Sequence, residues 1–582
     1  MPFFNSCSLE QIIGDHHVLM IKCLKDVILS FCKNNGIEIE DIIGSVITLE
    51  TKSFYSVEYY GTLKFKGVIT GLKYREGLYV GEGDYVIINA KSPTIIADDG
   101  PDYSSFSDMS FVDIIKQCFR DYDSSKLSLN TKHSKQKSPL IYTVQYNEST
   151  FQFVKRLAAR YGEWMYYDGE KLVFGLSDKV DEVHLKLGRD LQDFNIDLSP
   201  IPQNFEYFTN DYLTNNVHEQ LTNSSDGPQQ GSLGLLNKSS KDLYSKSTKI
   251  WANLTDDNNA KTRLDESVKN QQSVLQLQQY KAGGVSDNPG IVLASVVVIN
   301  DKSFRVVKVT HSYSNNGDLY ENSFEGVSND INTYPNTNID SFPKARLQTA
   351  KVIDNYDPLG LGRVKVQMRW QYKNGLSTPW IRNLSVSASS GQGFYFLPEI
   401  DDEVLVDFEG GNAECPFVIG SVYHSDAKPP STSSNASNHI KIIQSRNGAI
   451  FRINDQDGSI TIQDKSGSSL VLDGSGNINI QAAKSINLTA GENINADSGK
   501  NVSLNIAKDF NVNTSDNSTI NTGAKLNVSS GRKTQITDGL KIEITAPSVG
   551  VKGDVGLKLE GTTVDVDGTA MTNVKGGMVN LN

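Results

Sequence analysis

A chain of 582 residues with 56 Lys and Arg against 68 Asp and Glu carries a net charge of -12, which speaks against a nucleic-acid binder and its basic stripe. With 38% hydrophobic residues the composition is that of an ordinary soluble protein, and the length predicts about four domains. Five scattered cysteines, an odd number, do not form a disulfide framework and suit a reducing cytoplasm.

The opening Met1-Pro2-Phe3-Phe4-Asn5 lacks the basic and apolar regions of a secretory signal, so export is expected to bypass the general secretory route. Ser110 with Asp113 predicts a capped helix burying Phe111, Ile114, Ile115, Cys118 and Tyr122 on one face. Ser149 with Gln152 opens a second, which buries Phe153, Val154, Leu157 and Tyr161 and stops at Gly162. Strands are expected over 141–146, 163–167 and 171–174, and a polar helix over 257–280 ahead of Gly283-Gly284. Strands resume over 291–310; the apolar run 291–299 is too short to span a bilayer and reads as a buried strand. Residues 315–340 read as turn-rich.

From 344 to 423 the pattern is all-β. Val364, Val366, Met368 and Trp370 alternate with Lys365, Gln367 and Arg369, and Val404, Val406 and Phe408 repeat the alternation. Short strands with Gly and Pro turns over this length predict a small closed barrel of the OB type. A linker rich in Pro, Ser and Asn follows at 425–439.

Beyond it the chain repeats every eight residues. Ile478, Ile486, Ile494, Val502 and Phe510 form one series, which returns at Leu526 and Ile542 after breaks at Ser518 and Thr534. Ile480, Leu488, Ala496, Leu504, Val512, Ile520, Val528, Ile536 and Ile544 form a second, and Ala483, Gly491, Gly499, Ala507, Ser515, Gly523, Gly531 and Gly539 mark the turns. Each unit is a two-residue apolar stripe on a very short strand, followed by a tight turn. One unit buries ~3–5 kcal/mol of apolar side chain, whereas ordering eight backbones costs ~1–2 kcal/mol each. A lone chain cannot sustain that balance, and its strand edges stay open. Three chains around one axis close the edges and pool the stripes into a dry core. The repeat is expected to end near Val566, leaving Gly576, Gly577, Met578 and Val579 as a blunt tip that docks a partner.

Candidate chemistry is sparse. Adjacent His16 and His17 point to opposite faces of a strand and have no third ligand nearby. Glu399, Asp401, Asp402 and Glu403 read as a solvated turn rather than paired catalytic carboxylates. Asp455-Gln456-Asp457-Gly458 lacks an acidic residue at Ile453 and reads as a hairpin turn, not a calcium loop. Gly360 and Gly362 carry no nucleotide fingerprint. No catalytic, cofactor-binding or metal site is expected, and no enzyme.

Asp354-Asn355-Tyr356-Asp357-Pro358-Leu359-Gly360 leading into Gly362-Arg363-Val364-Lys365-Val366 resembles the OB-domain signature of VgrG proteins. So do Phe396-Leu397-Pro398-Glu399-Ile400, Glu403-Val404-Leu405-Val406, Phe408-Glu409-Gly410-Gly411-Asn412 and Pro416-Phe417-Val418-Ile419-Gly420-Ser421-Val422. Tyr142-Thr143-Val144-Gln145-Tyr146-Asn147-Glu148-Ser149, with Phe153 and Arg156-Leu157, resembles the family's hub motif, and residues 9–23 with Gly14-Asp15-His16-His17 are similar to its opening segment. The resemblance implies a mainly β chain with some α structure: hub barrels with inserted helices over 1–340, an OB-fold barrel over 344–424, the linker 425–439, and a triple-stranded β-helix or β-prism spike over 440–582. It further implies the homotrimeric, cell-puncturing spike of a type VI secretion system. Such a spike caps a tube of Hcp rings at its hub end, meets baseplate components, and carries a PAAR-type tip protein or effector at the other. It is cytoplasmic before firing and then passes transiently through a target membrane. The sequence departs from the Val-x-Gly spelling of phage spike repeats, and only the linker stands where the phage spike carries a lysozyme domain. The alternatives are the spike of a phage-tail-like extracellular injection particle, an envelope-degrading enzyme, and a trimeric adhesin that the missing signal disfavours.

Overall fold

The computed structural model describes residues 4–51, 61–76, 83–177, 179, 182–222, 228, 230–254, 259–315, 319–434 and 436–581. It divides into two compact units, Met1–Lys484 and Ser485–Asn582.

The first unit is built on an eleven-stranded sheet. Its central strands are Ser6–Ile12, paired antiparallel on one side with Val18–Leu24 and on the other with Lys302–Ser314. Val18–Leu24 leads outward through Tyr85–Lys91 and Leu63–Arg75 to Val46–Thr51. Lys302–Ser314 leads through Leu319–Ser328 and Tyr280–Ser286 to Leu191–Leu198. The start of the chain thus meets residues some three hundred positions later at the middle of one sheet. The strand Leu319–Ser328 lies where turns were expected. Its burial alternates as far as Gly326, with Asn322 and Phe324 buried, and Val327 and Ser328 are then buried in succession. The run 291–299 is largely buried, but only Val296–Ile299 is strand.

Among the described residues five α-helices pack on this framework: α1 (Lys25–Asn34), α2 (Phe111–Cys118), α3 (Thr150–Tyr161), α4 (Gly231–Leu243) and α5 (Ala260–Gln278). The first turn of α2 is held by the Ser110 hydroxyl, which accepts from the Asp113 amide at 3.2 Å. The helix stops at Cys118, one turn short of Tyr122. α3 has the full Ser149/Gln152 capping box and ends at Gly162 with φ +65°, the left-handed conformation that a C-terminal cap requires. α5 is the helix expected over 257–280, two to three residues shorter at each end; residues 257 and 258 lie outside the described residues. α1 and α4 were not expected from the sequence. Phe111, Ile114, Phe153, Val154, Leu157, Phe174 and Phe304 form the larger core, and Leu9, Leu19, Leu63, Phe65 and Val86 a second.

The OB region has strands Gln348–Asp354, Lys365–Met368, Glu403–Phe408 and Pro416–Ser421. Gln348–Asp354 pairs with both Lys365–Met368 and Glu403–Phe408, and the latter pairs with Pro416–Ser421. The segment 381–383 bridges the two outer strands, with Ile381 opposite Val364 and Asn383 opposite Val418. Val352, Val364, Val366, Val404, Val406 and Val418 fill the interior. The turn before Lys365–Met368 is knitted by Asp357. Its carboxylate accepts from the Leu359, Leu361 and Arg363 amides and from the Arg363 guanidinium, 2.7 Å at the closest. That guanidinium, with the amides, holds the Asp357 carboxyl well below the ordinary range although burial opposes it.

After the linker the chain forms a five-stranded antiparallel meander, Ile440–Gln444, Ile450–Asn454, Ser459–Gln463, Ser469–Leu472 and Ile478–Gln481. Asp455, Gln456, Asp457 and Gly458 form the hairpin turn expected there, with Gly458 at φ +73°. The apolar region therefore begins as a sheet within one chain.

The second unit, Ser485–Asn582, contains no helix or strand among its described residues, and every one of these is exposed. Its backbone bends at residues 491–492, 499–500, 507–508, 515–516, 523–524, 531–532 and 539–540, in step with the small-residue series. The bends do not stop near Val566: they continue at 569–570 and 577.

Candidate functional site

The four residues expected at the tip lie in sequence around the bend at Gly577. Met578 is 81% exposed and Val579 48%. Ile486, Val502, Phe510 and Ile542 are more than half exposed in the single chain.

The meander carries the clearest unfinished surface. Directly opposed residues share a face of a sheet. Ile443 faces Phe451, which faces Ile462, Leu470 and Ile480 in turn. In the neighbouring row Ile453 faces Ile460, Leu472 and Ile478. Nine apolar side chains, with Lys441 at one corner, thus occupy one face without interruption. The other face mixes Ile440, Ile442, Ile450 and Val471 with Arg452, Thr461, Gln463 and Asn479. Ile462, Ile478 and Ile480 are about half to two-thirds exposed (49%, 66% and 64%).

A second constellation joins the hub to the OB region through the loop 409–415. Glu414 is buried and accepts the Thr143 hydroxyl at 2.6 Å, while Arg156 stands 3.6 Å from the same carboxylate. Arg156 also grips Glu148, at 2.7 Å, and donates to the Val144 carbonyl. Arg160 donates to the carbonyls of Ile339 and Asn253, and Asn253 donates to the Glu409 carbonyl at 2.6 Å. Gly410 has φ +60°, and a Cβ there would meet the Asn253 amide at 2.5 Å and the Trp251 ring at 2.9 Å. Gln371 reaches back to Ser105 and Tyr142. The Gly410-Gly411-Asn412 motif of the OB signature is therefore the joint between two domains. Sequence reasoning found the motif but not its partner at Trp251 and Asn253.

His16 and His17 do not lie on a strand as expected but in the loop between Ser6–Ile12 and Val18–Leu24, and their side chains take different partners. His16 bonds Thr94 at 2.7 Å and lies 3.5 Å from Asp98. His17 enters a buried chain in which Tyr320 meets His311, His311 meets Gln11, and Gln11 meets His17. Burial lowers both His17 and His311 to about 3, so both imidazoles are neutral. Among the described residues no group of three or more His, Cys, Asp or Glu could hold a metal ion. Around the OB turn, Glu399 pairs with Arg446, Asp401 with Lys351 and Glu403 with Arg369, while the Asp402 carboxylate accepts from the Glu399 backbone amide at 2.9 Å.

Residues 21–184 match the phage tail baseplate hub family, and residues 348–423 match the injector OB domain of type VI secretion systems and phage baseplates. The VgrG resemblance thus holds in both domains. The spike protein VgrG1c of Pseudomonas aeruginosa is 24% identical over 366 residues, 56% of this chain and 48% of that protein. VgrG2a of the same organism is 32% identical over 98 residues, and the actin cross-linking toxin VgrG1 of Vibrio cholerae 39% over 74. These cover 15% and 12% of this chain and 12% and 7% of the relatives. The chain therefore aligns with less than half the length of these relatives. A chain of the Francisella PdpA-VgrG complex shares the fold, with a TM-score of 0.51 at 11% identity, over 82% of this chain and 84% of that one.

Proposed function

We propose that three copies of this chain form the puncturing spike of a type VI secretion system, a mechanical part without catalytic activity. The observation that carries the reading is the uncovered apolar face of the meander, followed in sequence by the eight-residue apolar series. Each of those side chains contributes about 1.5–3 kcal/mol once covered, and two further copies of the same face supply the cover by symmetry. The hub end caps the Hcp tube against the baseplate, and the exposed Gly576, Gly577, Met578 and Val579 dock a PAAR-type tip protein or effector. The protein waits in the cytoplasm and leaves with the contractile apparatus, through the target envelope.

Light scattering on the full chain tests this: a mass of three chains is expected, and a stable single-chain mass would overturn it. Turnover of peptidoglycan by the purified protein would overturn the non-enzymatic part. Tip binding that survives replacement of Met578 and Val579 by Asp would overturn the docking assignment.

A further inference from the structure

The bends of the second unit change rhythm. Up to 539–540 they fall every eight residues and always span two residues. Beyond it they fall at 547, at 554–555, at 562, at 569–570 and at 577, so that one-residue and two-residue bends alternate with a period of fifteen. The apolar pairs follow the same spacing: Ile542 and Ile544, Val549 and Val551, Leu557 and Leu559, Val564 and Val566, then Val574 and finally Val579 and Leu581. Steps of eight and seven residues now alternate, where all earlier steps were of eight.

A uniform repeat has a weakness. Displacing one strand by a whole period leaves its apolar set on the core side, so register is poorly specified. Between Ile486 and Phe510 a chain displaced by eight residues exchanges Ile486 for Ile494 and Val502 for Phe510 at little cost, and further on only Ser518 and Thr534 in the first series oppose it. The N-terminal domains fix where each chain enters, yet a unit looped out anywhere along the repeat costs only one unit at the far end. The distal segment removes that tolerance. The same displacement puts Lys541 and Glu543 where Val549 and Val551 belong, and Lys558 where Val566 belongs. Displacement the other way puts Lys552, Asp565 and Asp567 on core positions. Charges on a dry axis without partners are strongly disfavoured. A displacement of fifteen residues would suit the distal segment, but it sets Asn501 and Ser503 in place of Ile486 and Leu488.

We propose that the change of period at Pro547 is a register lock, in which two incommensurate repeats in one chain admit a single alignment of the three copies. The lock rests on the three-chain reading and adds to it the means by which identical repeats are kept in step.

The test uses full-length chains carrying Val502→Cys or Phe510→Cys, co-expressed and then oxidised. In register, like positions meet at the axis and only 502–502 and 510–510 disulfides form. A 502–510 disulfide reports a displacement of one unit. The natural distal segment is expected to give none. One Gly inserted after each of Pro547, Thr562 and Gly577 restores a uniform eight, and mixed disulfides are then expected at a yield comparable to the like-position ones. A second variant, Lys541→Leu with Glu543→Leu and Lys558→Leu, keeps the spacing but removes the charges that oppose one direction of slip, and is also expected to give them. Mixed disulfides in the natural protein would overturn the lock. So would their absence from both variants when the mass is still three chains, or loss of assembly in both, because the lock selects the register and does not build the trimer. A single-chain mass for the natural protein would instead sink the three-chain reading itself.

Discussion

Thr143 and Glu414, 271 positions apart in sequence, meet at a 2.6 Å hydrogen bond between the hub and the OB region. Both are buried, so the hydroxyl serves a carboxylate that water does not reach. Thr143→Val keeps the shape and removes the donor. It is expected to cost about 1–3 kcal/mol in unfolding free energy by urea titration. Gly410→Val on the other side of the joint should cost at least as much, through its left-handed backbone and its collision with Trp251. Unchanged midpoints for both variants would show that the joint bears no load in the folded protein.

The apolar face of the meander makes a sharper demand. Ile462→Lys places a charge in the centre of the row that runs from Ile443 to Ile480. Because Ile462 is 49% exposed in one chain, the substitution should leave the single-chain fold intact. Light scattering should then report a loss of the three-chain species. A mass equal to that of the unaltered protein would mean the face is not an interface.

The buried His17 and His311 predict an acid-sensitive hub. Their folded pKa values near 3 lie below the ordinary 6.5, so the unfolded chain takes up protons first. Stability is therefore expected to fall as pH drops from about 6.5 towards 3, by up to about 1.4 kcal/mol per pH unit for each imidazole. His311→Gln should flatten that slope, in denaturant titrations at neutral, mildly acidic and acidic pH. An unchanged slope would assign the acid response elsewhere.

Asp357 and Arg363 form the most enclosed ion pair of the OB region, with side chains 3% and 8% exposed. Asp357→Ala leaves the guanidinium and three amides without their acceptor, and about 3 kcal/mol is the expected loss. The folded carboxyl is held below its unfolded value, so its contribution is present at neutral pH and vanishes as pH falls below about 3.8. The difference between natural protein and variant should shrink accordingly in strong acid.

Much of this was legible in the sequence because it is local. The Ser149/Gln152 box, the Gly162 cap, the alternation of the OB strands and the eight-residue bends are all written within a few positions of the residues they organise. What escaped reading depends on partners far along the chain. α1 starts after Leu24 and α4 after Gln230, neither with a side-chain cap, so no start signal marks them. The strand Leu319–Ser328 owes its conformation to Tyr280–Ser286 and Lys302–Ser314 on either side, not to its own polar alternation. The distal change of rhythm was missed for a different reason. Alternating steps of seven and eight look like decay of a uniform eight.

The meander has a consequence for how the molecule comes into being. Each of its strands pairs with the next one in sequence, so its contacts are short-range along the chain and close with little loss of loop entropy. Hairpins of this kind form in microseconds, far faster than three polypeptides meet by diffusion at cellular concentrations. The sheet can therefore stand ready within each newly made chain while the residues beyond Ser485 still lack any fold of their own. In the proposed three-chain spike, assembly is then expected to run as a zipper, started at the meander and closing away from it.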